Sequence, residues 1–102
     1  MKKPFANFFL ASLKRKHEAA IMYFGRTSDF LMVTSERMVI PDENHTLEQM
    51  LNRLRIRGDR WADELDDSHV IYTVNGKAAA LADTIESGCE IEISSRKSLF
   101  EA

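Results

Sequence analysis

Cysteine, proline and glycine are scarce in this chain of 102 residues, which has one cysteine, two prolines and four glycines. A single cysteine cannot form a disulfide within the chain, so nothing points to an oxidising compartment. The longest apolar run, residues 19–24, is far shorter than the roughly 20 residues of a membrane-spanning helix. With 44% hydrophobic and 29% charged residues, the composition predicts one globular domain, which we expect to be cytoplasmic and not membrane-bound.

Patterns that bind metal ions are also missing from the sequence. The three histidines, His17, His45 and His69, lie far apart, and none has a second histidine or a cysteine two to four residues away, as a Cys/His zinc motif needs. An acidic run follows the middle of the chain; its members are Asp63, Glu64, Asp66 and Asp67. This run lacks the ligand spacing and the turn glycine of a calcium loop. We therefore predict a solvated acidic loop and no metal site.

Signals for catalysis or cofactor binding are equally weak. Cys89 precedes the last predicted strand, and the sequence offers it neither a general base nor an oxyanion site, so we expect a structural thiol. No glycine-rich phosphate loop and no dinucleotide fingerprint occur. The sequence therefore predicts no catalytic residue, no cofactor and no enzymatic activity.

Charge is divided unevenly along the chain. Residues 1–19 hold five Lys or Arg and one acid, whereas residues 20–102 hold nine basic and fifteen acidic residues. A nucleic-acid-binding domain normally carries its positive charge on the folded body. Because the body is acidic here, we do not expect a nucleic-acid partner.

The leading segment, residues 4–18, has the pattern of an amphipathic helix. Phe5, Phe8, Phe9 and Leu13 fall on one face at helical spacing, and basic residues follow at 14–16. Three interpretations remain open: a helix packed on its own domain, a partner-binding or self-associating helix, and a helix on a membrane surface. We divide the chain into this N-terminal extension, residues 1–19, and a domain over residues 20–102.

The clearest helix is predicted over Thr46 to Arg57. Thr46 and Gln49 form a capping box, and the leucines and Met50 recur at i, i+3, i+4 and i+7. Basic residues at positions 53, 55, 57 and 60 suit the end of a helix, and a patch for an anion or an acidic partner is the alternative. Strands are predicted over residues 20–25 and 37–40, with a helical turn between them that Ser28 or Asp29 would cap.

The stretch Val70 to Ser94 organises the rest of the chain. Val70, Tyr72 and Val74 alternate with Ile71 and Thr73, which is the period of a β-strand. Asn75-Gly76 suits a two-residue type I′ turn, because both central residues need positive φ. A return segment over 77–81, a turn at Ser87-Gly88 and an alternating strand over 89–94 complete the pattern.

These motifs and their order resemble the MoaD/ThiS-type ubiquitin-like β-grasp family. The strand ending in Val74-Asn75-Gly76, then Asp83-Thr84-Ile85, then Glu86-Ser87-Gly88 and a charged last strand are most similar to the small, sulfur-carrying subunit of molybdopterin synthase. Asp59-Arg60-Trp61-Ala62 fits that branch better than the thiamine-pathway branch. The resemblance implies an α+β fold, a mixed sheet wrapped around one main helix, with the N-terminal amphipathic helix added to it.

The resemblance places the family's chemistry at the end of the chain. Family members end in Gly-Gly, whose carboxylate is adenylated and converted to a thiocarboxylate inside partner enzymes. Residues 94–102 read SSRKSLFEA and contain no glycine. The expectation is therefore a non-carrier interaction module in molybdenum cofactor biosynthesis or beside it. The alternatives are a genuine sulfur carrier with a truncated or altered end, and a free-standing β-grasp adaptor.

The implied partners are proteins, either similar to the large subunit of molybdopterin synthase or similar to its activating enzyme. A homodimer is a further alternative. The residues that we expect to bind a partner come from the two ends of the chain; they are Phe5, Phe8, Phe9, Leu13, Arg96, Leu99 and Phe100.

Overall fold

A computed structural model describes residues 17–96 of the chain, which form five strands and three helices. In chain order these are β1 (Glu18–Phe24), α1 (Gly25–Leu31), β2 (Ser35–Val39), α2 (Leu47–Arg55), α3 (Asp59–Glu64), β3 (Val70–Val74), β4 (Lys77–Ala78) and β5 (Glu90–Ser95). Within this part of the chain, no helix is long and apolar enough to cross a membrane.

The five strands form one mixed sheet in the order β2-β1-β5-β3-β4. The first and last strands are parallel neighbours in its middle, with Ile21 opposite Ile91 and Tyr23 opposite Ile93. The other pairs are antiparallel. The predicted α+β architecture, a mixed sheet around one main helix, is confirmed, whereas the predicted N-terminal helix lies outside the described residues.

Helix α2 provides the centre of the core. Its capping box is present as predicted: the Thr46 hydroxyl accepts from the Gln49 backbone N–H at 3.1 Å, and the Gln49 side chain accepts from the Thr46 N–H at 2.9 Å. The four apolar side chains at helical spacing, Leu47, Met50, Leu51 and Leu54, are fully buried. They belong to one cluster with the inward side chains of the sheet, including Ile21, Met38, Ile91 and Ile93.

The turn between β3 and β4 has the predicted conformation. Asn75 has a φ of 53° and Gly76 a φ of 80°, both in the left-handed region that a type I′ turn requires. The Asn75 side chain also accepts a 2.9 Å hydrogen bond from the Glu90 backbone N–H, which ties the turn to β5. The returning strand is shorter than expected, because only Lys77 and Ala78 pair with β3.

Two local expectations are wrong. Helix α1 begins at Gly25 and not at a cap formed by Ser28 or Asp29, because Gly25 takes a φ of 62° and turns the chain directly from β1 into the helix. The acidic run is not wholly solvated either. Glu64 is buried, and its carboxylate accepts a 2.8 Å hydrogen bond from the Thr27 hydroxyl, so it joins α3 to α1.

Candidate functional site

One side of the sheet faces away from the core and carries the candidate site. Because side chains alternate along a strand, the residues between the buried positions share this side. They are Glu18, Ala20, Met22 and Phe24 of β1, Ser35, Arg37 and Val39 of β2, Glu90, Glu92 and Ser94 of β5, Ile71 and Thr73 of β3, and Ala78 of β4. We call this set the open face.

The strand register brings the apolar members of the open face together. Met22 lies opposite Glu92, and Phe24 and Ile71 lie opposite Ser94 from its two sides. Phe24 is 47% exposed and Val39 is 55% exposed, and no residue of the open face is buried. An apolar group bordered by charges, on a sheet whose other side is fully packed, is typical of a protein-binding surface.

The charges of the open face are mainly negative. Glu18, Glu90 and Glu92 lie on the two central strands, and Arg37 is the positive side chain on the edge strand β2. The Glu92 carboxylate accepts a 3.0 Å hydrogen bond from the Thr73 hydroxyl, which holds it on the sheet. Since opposite potentials favour association, a matching partner would present basic and apolar side chains together.

The ionisable groups on the core side of the sheet have structural roles. Burial, followed by a hydrogen bond from its hydroxyl to Asp67, raises the pKa of Tyr72 far above its ordinary value. Asp67 is also paired with Arg55 at 2.8 Å, and Arg55 donates two hydrogen bonds to the Leu65 carbonyl. These contacts join α2 to the loop before β3, so they stabilise the fold.

Histidine and cysteine do not form a reactive centre in residues 17–96. Cys89 is buried, and burial raises the pKa of its thiol, which disfavours the reactive thiolate. Burial and the nearby Arg53 guanidinium lower the pKa of His45. Within the described part of the chain, no three His, Cys, Asp or Glu side chains are grouped as metal ligands would be.

Of the partner-binding residues predicted from the sequence, the structure describes Arg96. Its backbone N–H donates to the His69 carbonyl at 2.7 Å, and its Nε donates to the Val70 carbonyl at 3.1 Å. Arg96 therefore ties the end of β5 to the start of β3. The remaining predicted residues, Phe5, Phe8, Phe9, Leu13, Leu99 and Phe100, lie outside the described residues, and their role stays a prediction.

None of the open-face residues was predicted from the sequence to bind a partner. The alternation of side chains along β3 and β5 can be recognised in the sequence, but it does not show which strands are neighbours in the sheet. Only the pairing of β5 with β1 on one side and with β3 on the other places Phe24 and Ile71 on either side of Ser94. The available signal was the apolar run Ile21 to Phe24, whose outward half had to face something other than the core.

Comparisons with known proteins agree with this geometry. The model of the ThiS family matches residues 21–93. A similar solved structure is that of SAMP1 from Haloferax volcanii, with a TM-score of 0.65 and 20% identity, covering 74% of this chain and 91% of that one. Another is a putative molybdopterin converting factor, subunit 1, from Pyrococcus furiosus, with a TM-score of 0.67 and 18% identity, covering 76% and 95%.

Among curated protein sequences, none matches this chain significantly. At such low identities, the two solved structures establish the fold alone. The family match spans nearly the whole described domain, from the middle of β1 into β5, and it confirms the resemblance found in the sequence. The chain therefore belongs to the ThiS family and is a MoaD/ThiS-type ubiquitin-like β-grasp protein.

Proposed function

We propose that this protein is an interaction module that docks a partner protein through the open face and is not itself an enzyme. The observation that carries the proposal is the composition of that face. Phe24, Met22 and Ile71 supply apolar surface beside the carboxylates of Glu90 and Glu92, and none of these side chains is buried within the domain. Binding that removes such a surface from water lowers the free energy of the complex.

A subunit of a larger enzyme is the kind of partner that fits best. The relative from Pyrococcus furiosus is named as subunit 1 of a molybdopterin converting factor, so that protein is one component of an assembly. We propose by analogy that this chain docks a protein similar to the large subunit of molybdopterin synthase or to its activating enzyme, in the cytoplasm. A basic and apolar surface on that partner would complement the open face.

Docking does not require sulfur chemistry at the end of the chain. Residues 89–102 contain no glycine, so this stretch does not itself supply a Gly-Gly end. We propose that the protein docks its partner but does not carry sulfur. The second candidate is a sulfur carrier of molybdenum cofactor biosynthesis, which family membership favours.

A pair of substitutions on the open face tests docking. Phe24→Asp combined with Glu90→Lys should weaken binding to a purified large-subunit-like or activating-enzyme-like protein of the same genome by about tenfold or more, measured by titration calorimetry. Ile56→Asp is the matched control, since Ile56 follows α2 on the other side of the sheet and is 82% exposed. Equal affinities for the wild type and the open-face variant would contradict the proposal.

A separate assay distinguishes the non-carrier from the carrier. The full chain is incubated with the activating enzyme, ATP and a sulfur donor, and its intact mass is recorded. We expect binding without covalent change. A mass gain equal to the replacement of one oxygen by sulfur would establish the carrier function and overturn the non-carrier proposal, and it would leave the docking surface unaffected.

A further inference from the structure

A groove with an acidic rim lies at the end of the sheet where β1 and β5 begin. It runs between the loop 40–44 and the loop 84–87, with His17 at its side, and has a volume of about 860 Å³. The exposed Pro41 and the largely buried Ile40 and Ile85 form an apolar floor, and the exposed rim carries the carboxylates of Asp42, Glu43 and Glu86. The size is that of a typical ligand-binding cleft. We call it the acidic groove.

Backbone hydrogen bonds hold the walls of the acidic groove in place. The Ile40 N–H donates to the His17 carbonyl at 2.7 Å, and the Ile85 N–H donates to the His45 carbonyl at 2.9 Å. An isolated β-bridge joins Thr46 to Thr84 across the base of the two loops. The groove is therefore part of the folded domain, and a ligand would not have to order it.

The charge on the acidic groove is one-sided. None of the described residues that line it is Lys or Arg, so three carboxylates lie around an apolar floor. The nearby Arg53 points elsewhere, donating to the Val39 carbonyl at 2.7 Å and lying 3.3 Å from the His45 ring nitrogen. A peptide with both basic and apolar side chains is the complementary ligand.

We infer that the acidic groove binds the chain's own leading segment, residues 4–16, within the same molecule. The segment carries Lys14, Arg15 and Lys16 for the rim, and Phe5, Phe8, Phe9 and Leu13 for the apolar floor. It is continuous with His17, which already lines the groove. A short connection of this kind gives an effective concentration in the millimolar range, so even a weak complementary contact is populated.

Occupation of the acidic groove leaves the other end of the sheet free. Because β1 and β5 are parallel, both begin at the groove and both end at the opposite end of the sheet, where Arg96 follows β5. The two ends of the sheet are about 20 Å apart, which is the length of a strand of six residues. The rim carboxylates of Asp42, Glu43 and Glu86 are not members of the open face, so either proposal can fail without the other.

Hydrogen exchange on the full chain tests the inference. The rim is neutralised by Asp42→Asn, Glu43→Gln and Glu86→Gln, and the matched control removes the same charge from exposed sites remote from the groove, Asp29→Asn, Asp59→Asn and Asp63→Asn. Amides of residues 5–16 and 84–87 should exchange roughly tenfold faster in the rim variant and in 1 M salt, and at the wild-type rate in the control.

A charge swap and the molecular mass complete the test. Lys14→Glu, Arg15→Glu and Lys16→Glu, combined with Asp42→Lys, Glu43→Lys and Glu86→Lys, should restore protection that either triple alone removes. Protection should not change with protein concentration, and the protein should remain a monomer by light scattering. Unprotected amides in the wild type would overturn the inference. Protection that rises with concentration, together with a dimer mass, would assign the groove to a second copy's segment and overturn the intramolecular contact.

Discussion

The Arg57 guanidinium donates two hydrogen bonds of 2.8 Å, one to each carboxylate oxygen of Glu36. The same carboxylate accepts a 2.7 Å hydrogen bond from the Tyr23 hydroxyl, and the guanidinium lies 4.6 Å from the centroid of the Trp61 ring. Tyr23 completes the cycle by meeting Trp61 edge-on at 6.0 Å. This single ion pair therefore connects β1, β2, α3 and the end of α2.

Removing the carboxylate should destabilise the domain. We expect Glu36→Ala to lower the free energy of unfolding by about 1–3 kcal/mol, because the partly buried Tyr23 hydroxyl and Arg57 guanidinium both lose their partner. Urea denaturation measures the change. Glu90→Ala, an exposed carboxylate on the open face, is the control and should change stability by less than about 0.5 kcal/mol. Similar losses in the two variants would show that the ion pair is unimportant.

The same carboxylate should make stability depend on acid pH. Burial alone would raise the pKa of Glu36, but hydrogen bonds from Arg57 and Tyr23 and the charge of Arg57 outweigh burial and lower it. A carboxylate with a lowered pKa stabilises the fold above the ordinary glutamate pKa, and this contribution is lost as the pH falls through the folded-state value.

We therefore expect the wild type to lose stability more steeply than Glu36→Gln below about pH 4.5. The pKa of Asp66 is also lowered, by hydrogen bonds from Ser68, but Asp66 is present in both proteins and cancels in the difference. The measurement is the free energy of unfolding by urea at a series of pH values. Parallel curves for the two proteins would contradict the assignment.

Helix α2 should be the element around which the core is packed. Leu51→Ala is expected to cost roughly 2–5 kcal/mol, because Leu51 is fully buried and the truncation leaves a cavity. Ile56→Ala, on a residue that is 82% exposed, should cost little. A loss below about 0.5 kcal/mol for Leu51→Ala would mean that the sheet is packed on something else.

The cost of replacing Gly76 in the turn after β3 should depend on how readily the new residue adopts a positive φ. A Cβ added to Gly76 would meet no atom within 4 Å, so the penalty comes only from its φ of 80°. Gly76→Val should therefore cost about 1–2 kcal/mol, and Gly76→Asn less, because asparagine adopts left-handed backbone more readily than valine does. Thermal unfolding compares the two variants, and equal costs would point to a steric cause instead.

Local signals in the sequence were sufficient for the elements that depend on them. The capping box of Thr46 and Gln49, the spacing of Leu47 to Leu54 and the Asn75-Gly76 turn each involve residues within a few positions of one another. The preferences involved are those of the backbone and of neighbouring side chains, so they hold before any tertiary contact forms. The resemblance to the ThiS family depended on the order of the same elements.

Long-range contacts had to come from the tertiary structure. From the sequence, Arg55 and Arg57 suit a helix end, but in the fold they bind Asp67 and Glu36, 12 and 21 positions away. Glu64 belonged to a run that looked solvated, and it became buried because α3 packs on α1 and brings it to Thr27. Such partners depend on how elements pack, which side-chain spacing within one element does not encode.

The open face shows the same division. The sequence by itself determined that β3 and β5 alternate, because period-two patterns reflect the geometry of a single strand. The tertiary structure decided that β1 lies beside β5, more than 60 residues away, and so placed Phe24 next to Ser94 with Ile71 on its other side. A surface built from separate strands exists only after those strands pair, since pairing, and not local preference, determines which side chains become neighbours.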